Sequence, residues 1–120
     1  MEYKIHVVNG CNICEIIADS IVISNLQDAV DVLGNTNYLE ASKIILYKHQ
    51  LSSDFFDLKT RLAGDILQKF SNYQMLLAIV GDFGEFKSKN FKDFVYECNK
   101  TGQILFLNSI DKAIFELGKE

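Results

Sequence analysis

Proline and tryptophan are absent from the 120 residues, arginine occurs once, histidine twice and cysteine three times. With no proline and seven scattered glycines, the chain contains no Pro/Gly-rich linker, and one domain over residues 1–120 is expected. Three cysteines are an odd and sparse set that cannot build a disulfide framework. Positive charge is also in deficit: 12 Lys and Arg against 16 Asp and Glu give a net charge of −4. That removes the global electrostatic basis for binding nucleic acid or an anionic membrane surface. No apolar run, residues 75–80 among the longest, approaches the roughly 20 residues needed to span a bilayer. The opening Met1-Glu2-Tyr3-Lys4 lacks the basic-then-apolar shape of a signal peptide, so a cytoplasmic location is expected. What the chain does have is 48% hydrophobic residues, enough for a chain of this length to bury a core.

The apolar pattern predicts the elements in order. Two β-rich runs, residues 3–8 and 11–18, flank Asn9-Gly10, a dipeptide suited to the two positive φ angles of a type I′ hairpin turn. Ser24 and Gln27 form an S-x-x-Q capping box ahead of Leu26, Ala29, Val30 and Leu33, and Gly34 is placed to end that helix. Residues 43–48, 75–80 and 103–107 carry apolar centres that do not alternate, the pattern of strands buried on both faces of a parallel sheet. Between them, residues 54–70 read as the longest helix, with Gly64 inside it implying a close helix-to-sheet approach. Ser88 and Gly102 bracket the next helix, and Ser109 opens the last. The resulting order is β-β-α-β-α-β-α-β-α: an α/β fold with a five-stranded, mostly parallel sheet in sequential order and four helices.

Motifs with chemical associations are few. Cys11-Asn12-Ile13-Cys14 spells C-x-x-C, but it begins a strand, where positions i and i+3 point to opposite faces, and two packed cysteines are expected. Asp82-Phe83-Gly84 matches the magnesium-binding tripeptide of protein kinases without any of the companion motifs, and reads as a turn after a strand. No phosphate-binding G-x-x-x-x-G-K-[ST], no G-x-G-x-x-G and no H-E-x-x-H occurs. No metal site and no cofactor are expected.

The most informative stretch is residues 51–61, joining a buried strand to the start of the longest expected helix. It concentrates Ser52, Ser53, Asp54, Asp57, Thr60 and Arg61, the last being the chain's one arginine. A serine there can accept a phosphoryl group or line an anion site at a helix N-terminus. Ser and Asp are equally the preferred N-caps, and Asp57 in a first turn complements the helix dipole without a ligand. Of the adjacent Phe55 and Phe56, both are expected to be buried.

The run from Leu51 to Tyr73, followed by Leu77-Ala78-Ile79-Val80-Gly81-Asp82-Phe83 and Phe94-Val95-Tyr96-Glu97-Cys98-Asn99, resembles an uncharacterised bacterial family, domain of unknown function 4180. That resemblance covers nearly the whole chain and implies no activity. More distantly, the element order is similar to that of STAS domains, the fold of bacterial anti-sigma-factor antagonists. There, a serine or threonine after the third strand is phosphorylated by a partner kinase to switch binding. By position the resemblance implies Ser52 or Ser53 for that role, with Thr60 a weaker counterpart, although the Asp-Ser-Ser-Gly type of motif is missing.

Three readings follow. The first is a non-enzymatic, regulatory interaction domain that docks an unidentified protein partner, such as a kinase-like regulator, through residues 51–61. The second is a small-ligand binder or enzyme using Ser52, Asp54, Asp57, Arg61 and Asp82 at the C-terminal ends of the parallel strands. The third is a homodimer joined through the edge of the N-terminal hairpin.

Overall fold

The computed structural model describes residues 1–119 and contains one five-stranded sheet. Strands β1 (Glu2–Val8) and β2 (Cys11–Ile17) form the predicted antiparallel hairpin. Its turn residues Asn9 and Gly10 have φ of 51° and 78°, the left-handed pair that a type I′ turn demands. Strands β3 (Lys43–Tyr47), β4 (Leu76–Val80) and β5 (Ile104–Leu107) follow in parallel, and the order is β1-β2-β3-β4-β5.

Sequential order and right-handed crossovers together send every connecting helix to the same face. Helices α1 (Leu26–Tyr38), α2 (Ser53–Phe56), α3 (Leu62–Asn72) and α4 (Lys89–Thr101) share one core with Cys14, Ile16, Ile44, Leu46, Leu77 and Ile79. Only α5 (Ile110–Leu117) lies on the opposite face, where Ala113 and Leu117 pack against Ile13, Ile45, Ala78 and Val80. The C-terminal end of α5 is tied back to the hairpin turn and to β3: Asn9 donates from Nδ2 to the Gly118 carbonyl at 2.7 Å, and the Lys43 ammonium donates to that of Leu117. Donors at a helix C-terminus satisfy carbonyls that have no partner within the helix.

There are five helices among the described residues where four were expected, because the long helix of residues 54–70 is broken. After α2 the chain makes a 3₁₀ turn at Leu58–Thr60 and re-enters helix at Leu62, with Arg61 at φ 65°. Polar side chains take over the backbone there. Asp57 Oδ1 accepts from the Lys59 amide at 3.1 Å, and Thr60 Oγ1 donates to the carbonyls of Asp54 (2.6 Å) and Asp57 (2.9 Å). The apolar stripe also lapses at exposed Lys59, so a continuous helix would bury nothing extra at that turn.

Helix α1 departs from expectation at both ends. Its cap is Asn25, whose Oδ1 accepts from the Asp28 amide at 2.9 Å, while Asp28 Oδ2 accepts from both the amide and the hydroxyl of Ser24. The box is therefore shifted by one residue from Ser24 and Gln27. Gly34 does not end the helix but lies exposed within it, and Gly64 is exposed within α3, where an added Cβ would meet nothing within 4 Å. The expected close approach of α3 at Gly64 is absent. The left-handed positions that close these two helices are held instead by Glu40 (φ 61°) and Gln74 (φ 56°). Both ends are Schellman motifs, with Ala41 bonding to the Thr36 carbonyl and Met75 to that of Phe70.

Glycine thus occupies two helix interiors and is missing from two helix ends. We expect Gly34→Ala and Gly64→Ala each to stabilise the protein by about 1 kcal/mol. Glu40→Gly and Gln74→Gly should each stabilise by a similar ~1 kcal/mol, because a side chain at positive φ costs that much. Urea unfolding with an unchanged m value checks this, and a lowered midpoint for either pair would contradict the placement.

Candidate functional site

The C-terminal ends of β3 and β4 carry the loops that build the site. The 3₁₀ turn at Lys48–Gln50 is anchored by the buried Gln50 side chain. Its Oε1 accepts from the Tyr47 amide at 2.9 Å, and its Nε2 donates to the carbonyls of Ile16 (2.9 Å) and Ala18 (3.2 Å). Its own carbonyl accepts from Val22 and Ile23, and Ile23 forms an isolated parallel bridge to Leu51. A buried amide so fully bonded fixes the exit direction of the chain from β3.

Lys48 then reaches across to the loop after β4. Its ammonium donates to the Asp82 carbonyl at 2.6 Å, pairs with Glu85, and lies 5.0 Å from the ring centre of Phe86 and 6.0 Å from that of Phe83. The stem passes so close to Gly81 that a Cβ there would sit 2.5 Å from Lys48 Cβ. Gly81 is thus required by a close approach.

Beneath this bridge lies an aromatic cluster. Phe56 stacks on Phe86 (centroids 4.8 Å apart, 13° between planes) and meets Phe55 edge-on at 5.1 Å, while Phe83 meets Phe106 edge-on at 5.2 Å. Phe55 is fully buried, but Phe56 is only half-buried, correcting the expectation that both are covered. A cleft of about 550 Å³ opens over Phe56 and Phe86, with Lys48, Ser53, Asp57 and Glu85 among its lining.

The predicted residues divide between several places. Ser53 and Asp57 line this cleft, and Asp54, Thr60 and Arg61 are exposed on the segment beside it. Ser52 sits at the N-cap of α2, but its Oγ is buried and has no hydrogen-bond partner, so it neither caps the helix nor faces solvent. Asp82 belongs to a different cleft of about 640 Å³ at the ends of β4 and β5, with Asn108 and Lys112. Its Oδ1 accepts from the Gly84 amide at 2.9 Å, as expected of a turn.

A second polar cluster, on the sheet face shared with α5, was not anticipated. Glu15 is buried there; its Oε1 is 2.8 Å from His6 Nε2, and its Oε2 accepts from the Tyr47 hydroxyl at 2.5 Å. Burial pushes the Glu15 carboxyl up, but the bonds from Tyr47 and His6 and the charges of His6 and Lys4 outweigh it, leaving a net lowering. The Tyr47 hydroxyl is pushed up to about 12 by burial and by Glu15. The hairpin register places Lys4 opposite Glu15 and His6 opposite Ile13, so the turn at Asn9-Gly10 already contained this signal.

The C-x-x-C cysteines fall on opposite faces. Cys14 is buried and its thiol is pushed up to about 11, mainly by burial, which keeps it protonated and inert. Among the described residues, no group of three or more His, Cys, Asp or Glu side chains is placed to hold a metal ion. No helix among them is long and apolar enough to cross a membrane.

Two outcomes test these geometries. Lys48→Met keeps the stem and removes the ammonium; amide exchange should accelerate across residues 81–87, with a global loss of about 1 kcal/mol. Unchanged exchange would show that the aromatic contacts alone hold that loop. Because the folded Glu15 carboxyl is lowered, its stabilisation is complete above the ordinary value of 4.5 and is lost as pH falls through the folded value. Tyr47→Phe removes a donor to the carboxylate and should flatten the fall in thermal stability below pH 4.5; an equally steep fall would contradict the pairing.

Comparison with known proteins agrees with the resemblance to domain of unknown function 4180. The family model described as domain of unknown function (DUF4180) matches residues 8–117, and the chain belongs to that family. No curated protein and no solved structure matches it.

Proposed function

We propose that this member of the DUF4180 family is a non-enzymatic, regulatory binding module of the cytoplasm that docks a protein partner through residues 51–61 and the adjoining cleft. The observation carrying this reading is the exposure of Ser53, Asp54, Asp57, Lys59, Thr60 and Arg61 around half-buried Phe56. Their backbone is held by its own turn bonds, so the surface is ordered before a partner arrives, which lowers the entropic cost of docking. An apolar partner side chain would seat on Phe56 and Phe86, with Lys48, Asp57 and Glu85 as the polar rim.

A catalytic role finds less support. The polar side chains bonded within 51–61, Asp57 and Thr60, engage backbone groups, and no hydroxyl of that segment is held by a carboxylate or imidazole. The sequential strand order and the position of the serines after β3 support the STAS-like analogy, in which a kinase-like regulator modifies this loop. Of the two serines, the exposed Ser53 is the one a kinase can reach, since the Ser52 hydroxyl is enclosed.

A second reading, a small-ligand site, is favoured by one observation: Asp82, Asn108 and Lys112 share the cleft of about 640 Å³. Photo-crosslinking in cells separates the two. A crosslinker at position 53 or 54 should give a discrete protein adduct, lost in the background of Asp57→Ala with Arg61→Ala. The same crosslinker at exposed positions 92 and 96 of α4 should give none. Adducts of equal yield from α4, or none from 53 and 54, would refute the docking surface. A stabilising metabolite whose effect Lys112→Ala abolishes would then favour the second reading.

A further inference from the structure

We propose that the outer edge of β1 is a self-association surface, on which two copies of this chain pair antiparallel about a two-fold axis at Ile5 and join their sheets into one. Strand β1 ends the sheet, runs for seven residues, and pairs with β2 residue for residue without a bulge. Proline is absent from the chain. Short length, a bulge and proline are among the means by which proteins protect a sheet edge, and β1 has none of them; its charged residues Glu2 and Lys4 lie on the sheet face opposite Ile5 and Val7.

The other edge is protected. Strand β5 has four residues, and the side-chain amide of Asn99 closes off the peptide groups of Phe106. Asn99 Oδ1 accepts from the Phe106 amide at 2.7 Å, and its Nδ2 donates to the Phe106 carbonyl at 3.4 Å. Among the described residues, no side chain does the same for β1.

Hairpin geometry identifies which groups of β1 are free. In a two-residue hairpin the closing pair, here Val8 and Cys11, exchanges both ladder bonds. By alternation His6, Lys4 and Glu2 bond inward, while Val7, Ile5 and Tyr3 turn their N–H and C=O outward. The same residues put apolar side chains on the helix-bearing face, where Ile5 is 37% and Val7 70% exposed. Unpaired backbone and uncovered apolar side chains therefore coincide.

Symmetry selects a second copy as the occupant. A two-fold axis normal to the sheet keeps odd residues opposite odd ones, so the outward-facing groups of both strands meet. With Ile5 on the axis, Tyr3 faces the partner's Val7 and all seven residues of each strand are paired. Lys4 faces the partner's His6, and Glu2 faces the partner's Val8. Moving the axis to Lys4 or His6 shortens the overlap and sets like side chains, Lys4 or His6, directly against each other. The β2 strands would lie three strand spacings apart, about 14 Å, so helices over the inner strands have room.

Sedimentation velocity on the intact protein is the test. A species of twice the 13.6 kDa chain mass should dominate at about 100 µM. Ile5→Lys, at an exposed position, should remain monomeric there with an unchanged circular dichroism spectrum. A wild-type protein that stays monomeric, or a folded Ile5→Lys that still dimerises, would overturn the proposal. A disulfide readout decides the register even if Ile5→Lys fails to fold. Under mild oxidation Ile5→Cys should crosslink to its own copy, because a hydrogen-bonded pair places Cα atoms ~5.5 Å apart, within disulfide range. Val7→Cys should not, since its symmetry mate lies about 13 Å along the strands. The reverse pattern would overturn the Ile5-centred pairing.

Discussion

The handedness of the parallel crossover is the constraint on which the rest of this molecule depends. Three successive right-handed crossovers in a sheet of sequential order put α1, α3 and α4, with α2, on a single face. Only the last helix can cover the other face, and the C-terminus of α5 is held by bonds from Asn9 in the hairpin turn and Lys43 in β3. Several features follow. The strands β3 and β4 are buried on both faces, the Glu15 cluster occupies sheet surface that α5 leaves open, and β1 is left as an edge of the sheet.

Without a reversal of strand order the fold has no ready-made crevice, so its clefts arise from loops at the C-terminal strand ends. Magnitudes show what holds them. An exposed ion pair such as Lys48 with Glu85 contributes no more than about 1 kcal/mol. Each aromatic pair beneath it adds roughly 0.5–1.5 kcal/mol beyond the area it buries. The stack of Phe56 on Phe86 and the edge contact of Phe83 with Phe106 therefore dominate, and Lys48 sets the register of the loop over them. Gln50 acts on the other side of the cleft, where a buried amide with three side-chain bonds has no alternative arrangement of equal energy.

Much of the fold was legible because its signals are local. Asn9-Gly10 announced the hairpin, unbroken apolar runs announced the doubly covered strands, and Ser88, Gly102 and Ser109 marked helix ends where the structure has them. Reading failed where glycine was taken as punctuation. Gly34 stands in mid-helix, and Glu40 bears the strain at the true end because the Schellman bonds and the buried Ala41 hold it there. The break after Phe56 was missed because it is made by side chains, Asp57 and Thr60, bonding to backbone, which apolar periodicity does not register. The site was legible as a segment but not as a surface. Nothing local distinguishes enclosed Ser52 from open Ser53, or brings Lys48, Phe86 and Glu85 from other segments to Phe56.

If residues 51–61 dock a partner as proposed, the surface over Phe56 and Phe86 is covered in the cell. Covalent side-chain footprinting, comparing the purified protein with the same protein inside its cells, measures that cover directly. The docking surface predicts protection in cells concentrated at Phe56, Lys59 and Phe86, with the exposed Tyr96 and Phe115 labelled equally in both settings. Protection centred on Tyr96 or Phe115, or identical labelling throughout, would contradict it.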